Sequence, residues 1–198
     1  MKKKSILRIS ILLCISILAI TAFVVFISNG SDNKRMQTSQ NTTYSTSFDV
    51  DPNQTLDDML PYADLIVKGK VISDGVNKTK EIPGAKYGLK QALTYYQVEI
   101  IETLYGSEDS NIITFTQLGE ADNDKVEKKV KKGDELLFIL HKHPDGYNSV
   151  SLEYGLFSVT DGKKVKSLSN GNNLQKYADL DTLKNDIDEK LKKIKKSK

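Results

Sequence analysis

The side chains best placed by type and spacing for chemistry are His141, His143 and Asp145, in the run HKHPDG. Two imidazoles at i and i+2 on an extended backbone project to the same side, and a carboxylate follows two residues later. Such a trio supplies part of a metal shell. A metal takes three or four ligands and the chain holds only these two histidines, so a carboxylate from elsewhere would have to complete the site. The competing reading is a solvated strand end. The acids of GEADND, Gly119 to Asp124, form a second cluster. Counted from Asp122, loop positions six and twelve fall on Glu127 and Gly133, not on the Gly and Glu that an EF-hand requires, so a solvated loop is expected.

Nucleophilic catalysis has less support. No serine stands in a Gly-x-Ser-x-Gly elbow, no glycine-rich phosphate loop occurs, and the one cysteine, Cys14, falls in the apolar N-terminal run. No catalytic residue and no cofactor is therefore expected. Binding is the alternative to catalysis. Tyr95, Tyr105, Tyr147 and Tyr154 recur through the apolar segments, and Lys68 and Lys70 alternate with apolar residues in LIVKGKV. These side chains either half-bury within strands or make a face for a peptide or glycan, with the two lysines at its edge.

The elements that must position them follow from periodicity. TLDDMLPYAD has Thr55 and Asp58 in capping-box spacing, Leu56, Met59 and Leu60 on one helical face, and Pro61 to stop the helix after about two turns. In LIVKGKVIS, Leu65, Val67, Gly69 and Val71 share one phase of a strand, and Gly69 reads as a bend or a close approach of another backbone. The apolar phase of LTYYQVEIIETLYG slips near Ile100 and Ile101, which implies a bulge. NIITFTQLG makes a hairpin with it. ELLFIL is apolar on both phases, as expected for a strand covered on both faces, and HPDG and Asp161-Gly162 mark turns. Val126 and Val130 suggest a helical turn between Gly119 and Gly133. Leu180, Leu183, Ile187, Leu191 and Ile194 stripe a C-terminal amphipathic helix with Asp181 as its N-cap, which packs on the barrel or receives a partner.

Ahead of these elements, Ile9 to Ile27 is an uncharged run of 19 residues. As a helix it rises ~28 Å, close to the ~30 Å hydrocarbon core of a bilayer. Lys2, Lys3, Lys4 and Arg8 precede it, so the N-terminus is expected in the cytoplasm and the remainder outside. A permanent signal-anchor is the expectation, with cleavage after Ser28-Asn29-Gly30 as the alternative that would release the chain. Residues 29–54, rich in Ser, Thr, Asn and Gln, read as a flexible tether. Of the 29 basic residues, four precede the first acid, leaving 25 basic against 26 acidic. A near-neutral body lacks the cationic footprint of a duplex-binding protein, so nucleic acid is not expected as a partner.

Four phrases in order, ADLIVKGKV, YYQVEIIETLYG, ITFTQLG and KGDELLFIL, resemble secreted or membrane-anchored Gram-positive bacterial proteins with an OB-type, netrin-like barrel, the barrel of tissue metalloproteinase inhibitors. The resemblance covers about residues 55–160. It implies an OB-type barrel, and together with the elements read from periodicity the expectation is a mainly β fold with a short N-terminal helix, a barrel over 55–172 and a C-terminal helix over 173–198, preceded by one transmembrane helix within 1–28. The inhibitors' zinc-chelating N-terminal cysteine has no counterpart, since no cysteine follows Cys14. The functional expectation is a membrane-tethered, extracytoplasmic, non-catalytic binding module of the bacterial envelope that recognises a protein or envelope polymer. The alternatives are an inhibitor or immunity-type protein against an extracellular protease, lytic enzyme or toxin, and a metal or small-ligand sensor.

Overall fold

The computed structural model of the protein describes residues 51, 53–82, 88–122, 128–170 and 173–196. The expected membrane helix and almost all of the tether lie outside the described residues, as does Val126 of the expected helical turn. Among the described residues no helix is long and apolar enough to cross a membrane.

The folded part opens on helix α1 (Leu56–Met59), where the Asp58 carboxylate accepts hydrogen bonds from the Thr55 N–H at 2.9 Å and the Thr55 hydroxyl at 2.7 Å. A 3-10 turn (Leu60–Tyr62) carrying Pro61 ends it, because proline has no N–H with which to continue the helical ladder. Among the described residues eight strands follow: β1 (Leu65–Val71), β2 (Val76–Glu81), β3 (Lys90–Tyr105), β4 (Ile112–Leu118), β5 (Glu135–His143), β6 (Gly146–Ser149), β7 (Leu156–Thr160) and β8 (Lys164–Ser167). A 3-10 turn (Leu152–Gly155) separates β6 from β7, and helix α2 (Leu180–Lys196) follows β8.

Five strands close into a barrel. β1 is antiparallel to β3 on one side and to β5 on the other, β3 pairs with β4, β4 runs parallel to β6, and β6 pairs back to β5. β2 flanks β3, while β7 and β8 extend the sheet from β5. The long β3 serves two neighbours in turn. Its first half pairs with β2 and β4 and its second half with β1, and the β1 register skips Ile101 and Leu104. These are the extra residues of two bulges, the first where the apolar phase slips in the sequence. Gly69 sits at that bend, where an added Cβ would lie 2.7 Å from Val98 Cγ1 and 3.0 Å from the Glu99 carbonyl oxygen.

Two apolar clusters explain why β1 and β5 are hydrophobic on both faces. Leu65, Val67, Leu136, Phe138 and Leu140 point into the barrel, with Tyr96, Val98, Phe115 and Tyr147. Ile66, Leu137 and Ile139 point outward and are covered by Leu56, Met59 and Leu60 of the N-terminal turns and by Leu183, Ile187 and Leu191 of α2. The α2 stripe thus packs on the barrel. The helix is capped by Asp179 rather than Asp181: the Asp179 carboxylate accepts from the Thr182 N–H at 3.0 Å, and Asp181 lies within the first turn. The apolar spacing starts at Leu180, and the cap is the residue before it.

Candidate functional site

The outer face of β3 and β4 is where polar groups, cavities and charge converge. Alternation along β3 sends Tyr96 and Val98 into the barrel and leaves Leu93, Tyr95 and Gln97 outside. Across from them on β4 stand Leu118, Thr116 and Thr114. β2 forms one rim, with Lys78 and Lys80 pairing in register with Leu93 and Gln91. The β5–β6 turn forms the other rim, supplying His143 and Asp145. Gly146 permits that turn to lie close, since a Cβ there would meet the Thr114 carbonyl oxygen at 2.5 Å, and its φ of 129° suits glycine.

Two cavities occupy this face. The smaller, about 380 Å³, is lined by Ser73, Val76, Lys78, Lys80, Tyr95, Gln97, Thr114 and Asp145. The larger, about 460 Å³, is lined by Gln91, Leu93, Thr116, Gln117, Leu118, His143, Asp145, Asn148 and the segment from Ser149 to Leu152. Leu152 is held at a φ of 46°, a region that costs a bulky L-residue energy. Asp145 belongs to both cavities, and its carboxylate receives a charge-assisted hydrogen bond from the Lys80 ammonium across the sheet face. That bond holds Asp145 below and Lys80 above their usual ranges. Lys78 and Lys80 also stand over the Tyr95 ring, at 4.7 and 5.9 Å from its centroid. Burial first, opposed by Asp145, holds His143 below the ordinary histidine range.

On this face the Thr116 hydroxyl has no hydrogen-bond partner among the described residues; the Tyr95 hydroxyl meets the Lys80 ammonium, and the Ser149 hydroxyl, in the phase of Tyr147, lies against Gly155. Tyr95, Thr116 and Ser149 are 8 %, 4 % and 7 % exposed. The Gln117 side chain is engaged at both ends, donating to the Lys128 carbonyl at 3.0 Å and accepting from the Val130 N–H at 3.0 Å.

Of the tyrosines and lysines singled out in the sequence, Tyr95 lies at this site and the others are distributed. Tyr147 is in the barrel core and its hydroxyl donates to Glu108, whose carboxylate also receives Lys142 at 3.1 Å. Tyr105 and Tyr154 pack against the outer cluster, Tyr105 beneath the Lys195 ammonium at 5.4 Å. Lys68 is ion-paired with Glu135 at 2.7 Å, and Lys70 is exposed on β1 opposite Glu135. The histidine run is divided as well. His141 Nδ1 meets Asp64 at 2.7 Å, His143 Nδ1 accepts from the Asp145 N–H at 3.3 Å, and the Asp145 carboxylate is taken by Lys80. Among the described residues no group of three or more His, Cys, Asp or Glu is placed to hold a metal ion.

The residues missed by sequence reasoning are Lys78 and Lys80. VNKTKE has no apolar alternation and five of its six residues are exposed, so nothing in its pattern distinguishes a strand from a loop. The signal that could have found it is the Asp74-Gly75 turn followed by residues complementary in length to the start of β3. No protein-family model matches the chain, and no curated protein matches it.

Proposed function

We propose that the chain is a membrane-tethered, extracytoplasmic binding module of the bacterial envelope, non-catalytic, that recognises a protein or envelope polymer on the outer face of β3 and β4. The tethering rests on the uncharged run Ile9 to Ile27 and its basic flank. The barrel type is OB-like: five strands in the order β1-β3-β4-β6-β5 closing on β1, with β2 inserted beside the first hairpin. OB barrels bind ligands on the face of their second and third strands, between the loops that follow the first and fourth. In this chain those strands are β3 and β4, and the loops are the β2 segment and the HPDG turn.

The observation that carries the reading is the coincidence, on that face, of both cavities with the Lys80–Asp145 ion pair that borders them and with Lys78 beside it. The test has two parts. Protease added to intact cells should release the barrel from the full-length protein, and Leu93→Arg, which fills the larger cavity with a charged side chain, should abolish retention of the released barrel on isolated envelopes. An uncleaved barrel in intact cells, or undiminished retention of the Leu93→Arg protein, would contradict it.

A further inference from the structure

We propose that the free edge of β2 takes an extended peptide segment of the partner, which adds a strand there and sets an acidic side chain against Lys78 and an apolar one against Val76. The inference rests on the ligand face proposed above and names how that face is engaged, by backbone pairing at its rim with alternate side chains turned toward the groove.

The edge comes first. Among the described residues β2 pairs with β3 alone, whereas β3 and β4 have a neighbour on each side. The Ile82 N–H donates to the Leu89 carbonyl at 2.8 Å, and bonded and non-bonded pairs alternate along an antiparallel ladder. Lys80, Lys78 and Val76 therefore bond to β3, and the N–H and C=O groups of Asn77, Thr79 and Glu81 turn outward. Ala92, opposite Thr79, agrees with this phase, since its carbonyl turns to the far side and accepts from the Gly119 N–H at 2.8 Å. All three outward residues are exposed. Donors and acceptors repeating every second residue, about 6.8 Å apart, match another extended backbone. A saccharide or a lipid headgroup presents no such repeat.

The lysines decide whether this edge is guarded or receptive. Lysine on an edge strand commonly blocks pairing. Here both ammonium groups are drawn inward over β3, at 4.7 and 5.9 Å from the Tyr95 ring centroid, with Lys80 bonded to Asp145 across the face, so the edge itself stays open. A second copy of the chain is disfavoured as the added strand: two-fold antiparallel pairing of β2 centred on Lys78, Thr79 or Lys80 sets lysine opposite lysine. Asp145 answers Lys80, and Glu81 faces Lys90 in the other phase of the strand, which leaves Lys78 as the cation on the groove side. Val76, in the same phase, is 55 % exposed and is the apolar contact next to it. In antiparallel register the matching peptide reads acidic, any residue, apolar.

The test uses the full-length, isotope-labelled protein in detergent with the heptapeptide Thr-Thr-Thr-Glu-Thr-Val-Thr, its counterpart with lysine for glutamate, and the glutamate peptide N-methylated at the two threonines flanking glutamate. Amide hydrogen exchange and calorimetry are the readouts. The glutamate peptide should slow exchange at Asn77, Thr79 and Glu81 while Lys78 and Lys80, already bonded to β3, stay unchanged. The lysine peptide should bind about fivefold more weakly, the glutamate peptide should weaken as salt is raised, and Lys78→Gln should erase the difference between the two. Thr79→Pro removes an outward N–H and no bond to β3, so it should lower affinity about tenfold or more and lower envelope retention, with protection at Lys78 and Lys80 showing that β2 remains in place. Equal binding of the lysine peptide, undiminished binding of the N-methylated peptide, or undiminished binding or retention of the Thr79→Pro protein would overturn the proposal. So would protection at Asn77, Thr79 and Glu81 before any peptide is added, which would mean that a second copy or the chain's own tether holds the edge. No binding of any peptide, with Leu93→Arg still abolishing envelope retention, would overturn it while leaving the ligand face standing; if retention also survived, both would fall.

Discussion

Tyr147 and His143 flank the β5–β6 turn, and both decide how this barrel end responds to its surroundings. The Tyr147 hydroxyl, within a side chain 4 % exposed, donates to Glu108 and holds that carboxylate below its usual range. Tyr147→Phe should therefore cost about 1 kcal/mol in chemical denaturation, since a partly screened hydrogen bond to a charge is lost. His143 is held low chiefly by burial, so the unfolded chain binds the extra proton more readily. Its contribution to stability is intact above the unfolded value of about 6.5 and is lost as pH falls from there through the folded value. Asp58, Asp145 and Asp179 are held low by Thr55, Lys80 and the Thr182 N–H respectively. Their contributions are present above the unfolded carboxylate value of about 4 and disappear as pH falls through the folded ones. Denaturation curves should then show stability starting to fall below about pH 6.5 and falling further below about pH 4, and His143→Gln should remove the part of the loss that starts near 6.5. The histidines were legible as titratable groups at a strand end, whereas the division of His141 to Asp64 and Asp145 to Lys80 was not, because those partners lie 77 and 65 positions away.

At the scale of elements, α2 and the bent β3 carry the packing. Leu183 and Ile187 are buried against Ile66, Leu137 and Ile139, so Leu183→Ala should destabilise the protein by about 2–5 kcal/mol through lost burial and a cavity. Gly69→Ala should cost about 1–3 kcal/mol by pressing on Val98, and Val98→Ala in the same chain should recover part of that loss; additive losses in melting experiments would contradict the contact. Both features were readable in advance, the helix from its three-four spacing and the bend from the phase slip at Ile100 and Ile101. β5 also declared itself, because Leu136 through Leu140 serve two clusters at once. β2 did not. Its place is set by backbone pairing with residues 90–95 of β3, which leaves no mark in the hydrophobic pattern, and with it went Lys78 and Lys80. The face was half visible in the sequence through Tyr95. The unpartnered hydroxyl of Thr116 was invisible, since whether a buried hydroxyl is paired depends on neighbours brought together only by closure of the barrel.

For the whole molecule, the proposal is that the barrel meets its ligand on the β3–β4 face while α2 serves structure. Closure of five strands leaves few ways for that face to move, so recognition is expected without rearrangement of the sheet. The opposite side is occupied: the buried stripe of α2 covers the outward residues of β1 and β5, and its exposed side carries i, i+4 pairs such as Glu189 with Lys193 at 2.7 Å. The most direct measurement places a photocrosslinking residue at Leu118, on the proposed face, or at Glu189, on the exposed side of α2, in the full-length protein in living cells. The account predicts an envelope adduct from position 118 and none from position 189; an adduct from 189 without one from 118 would contradict it.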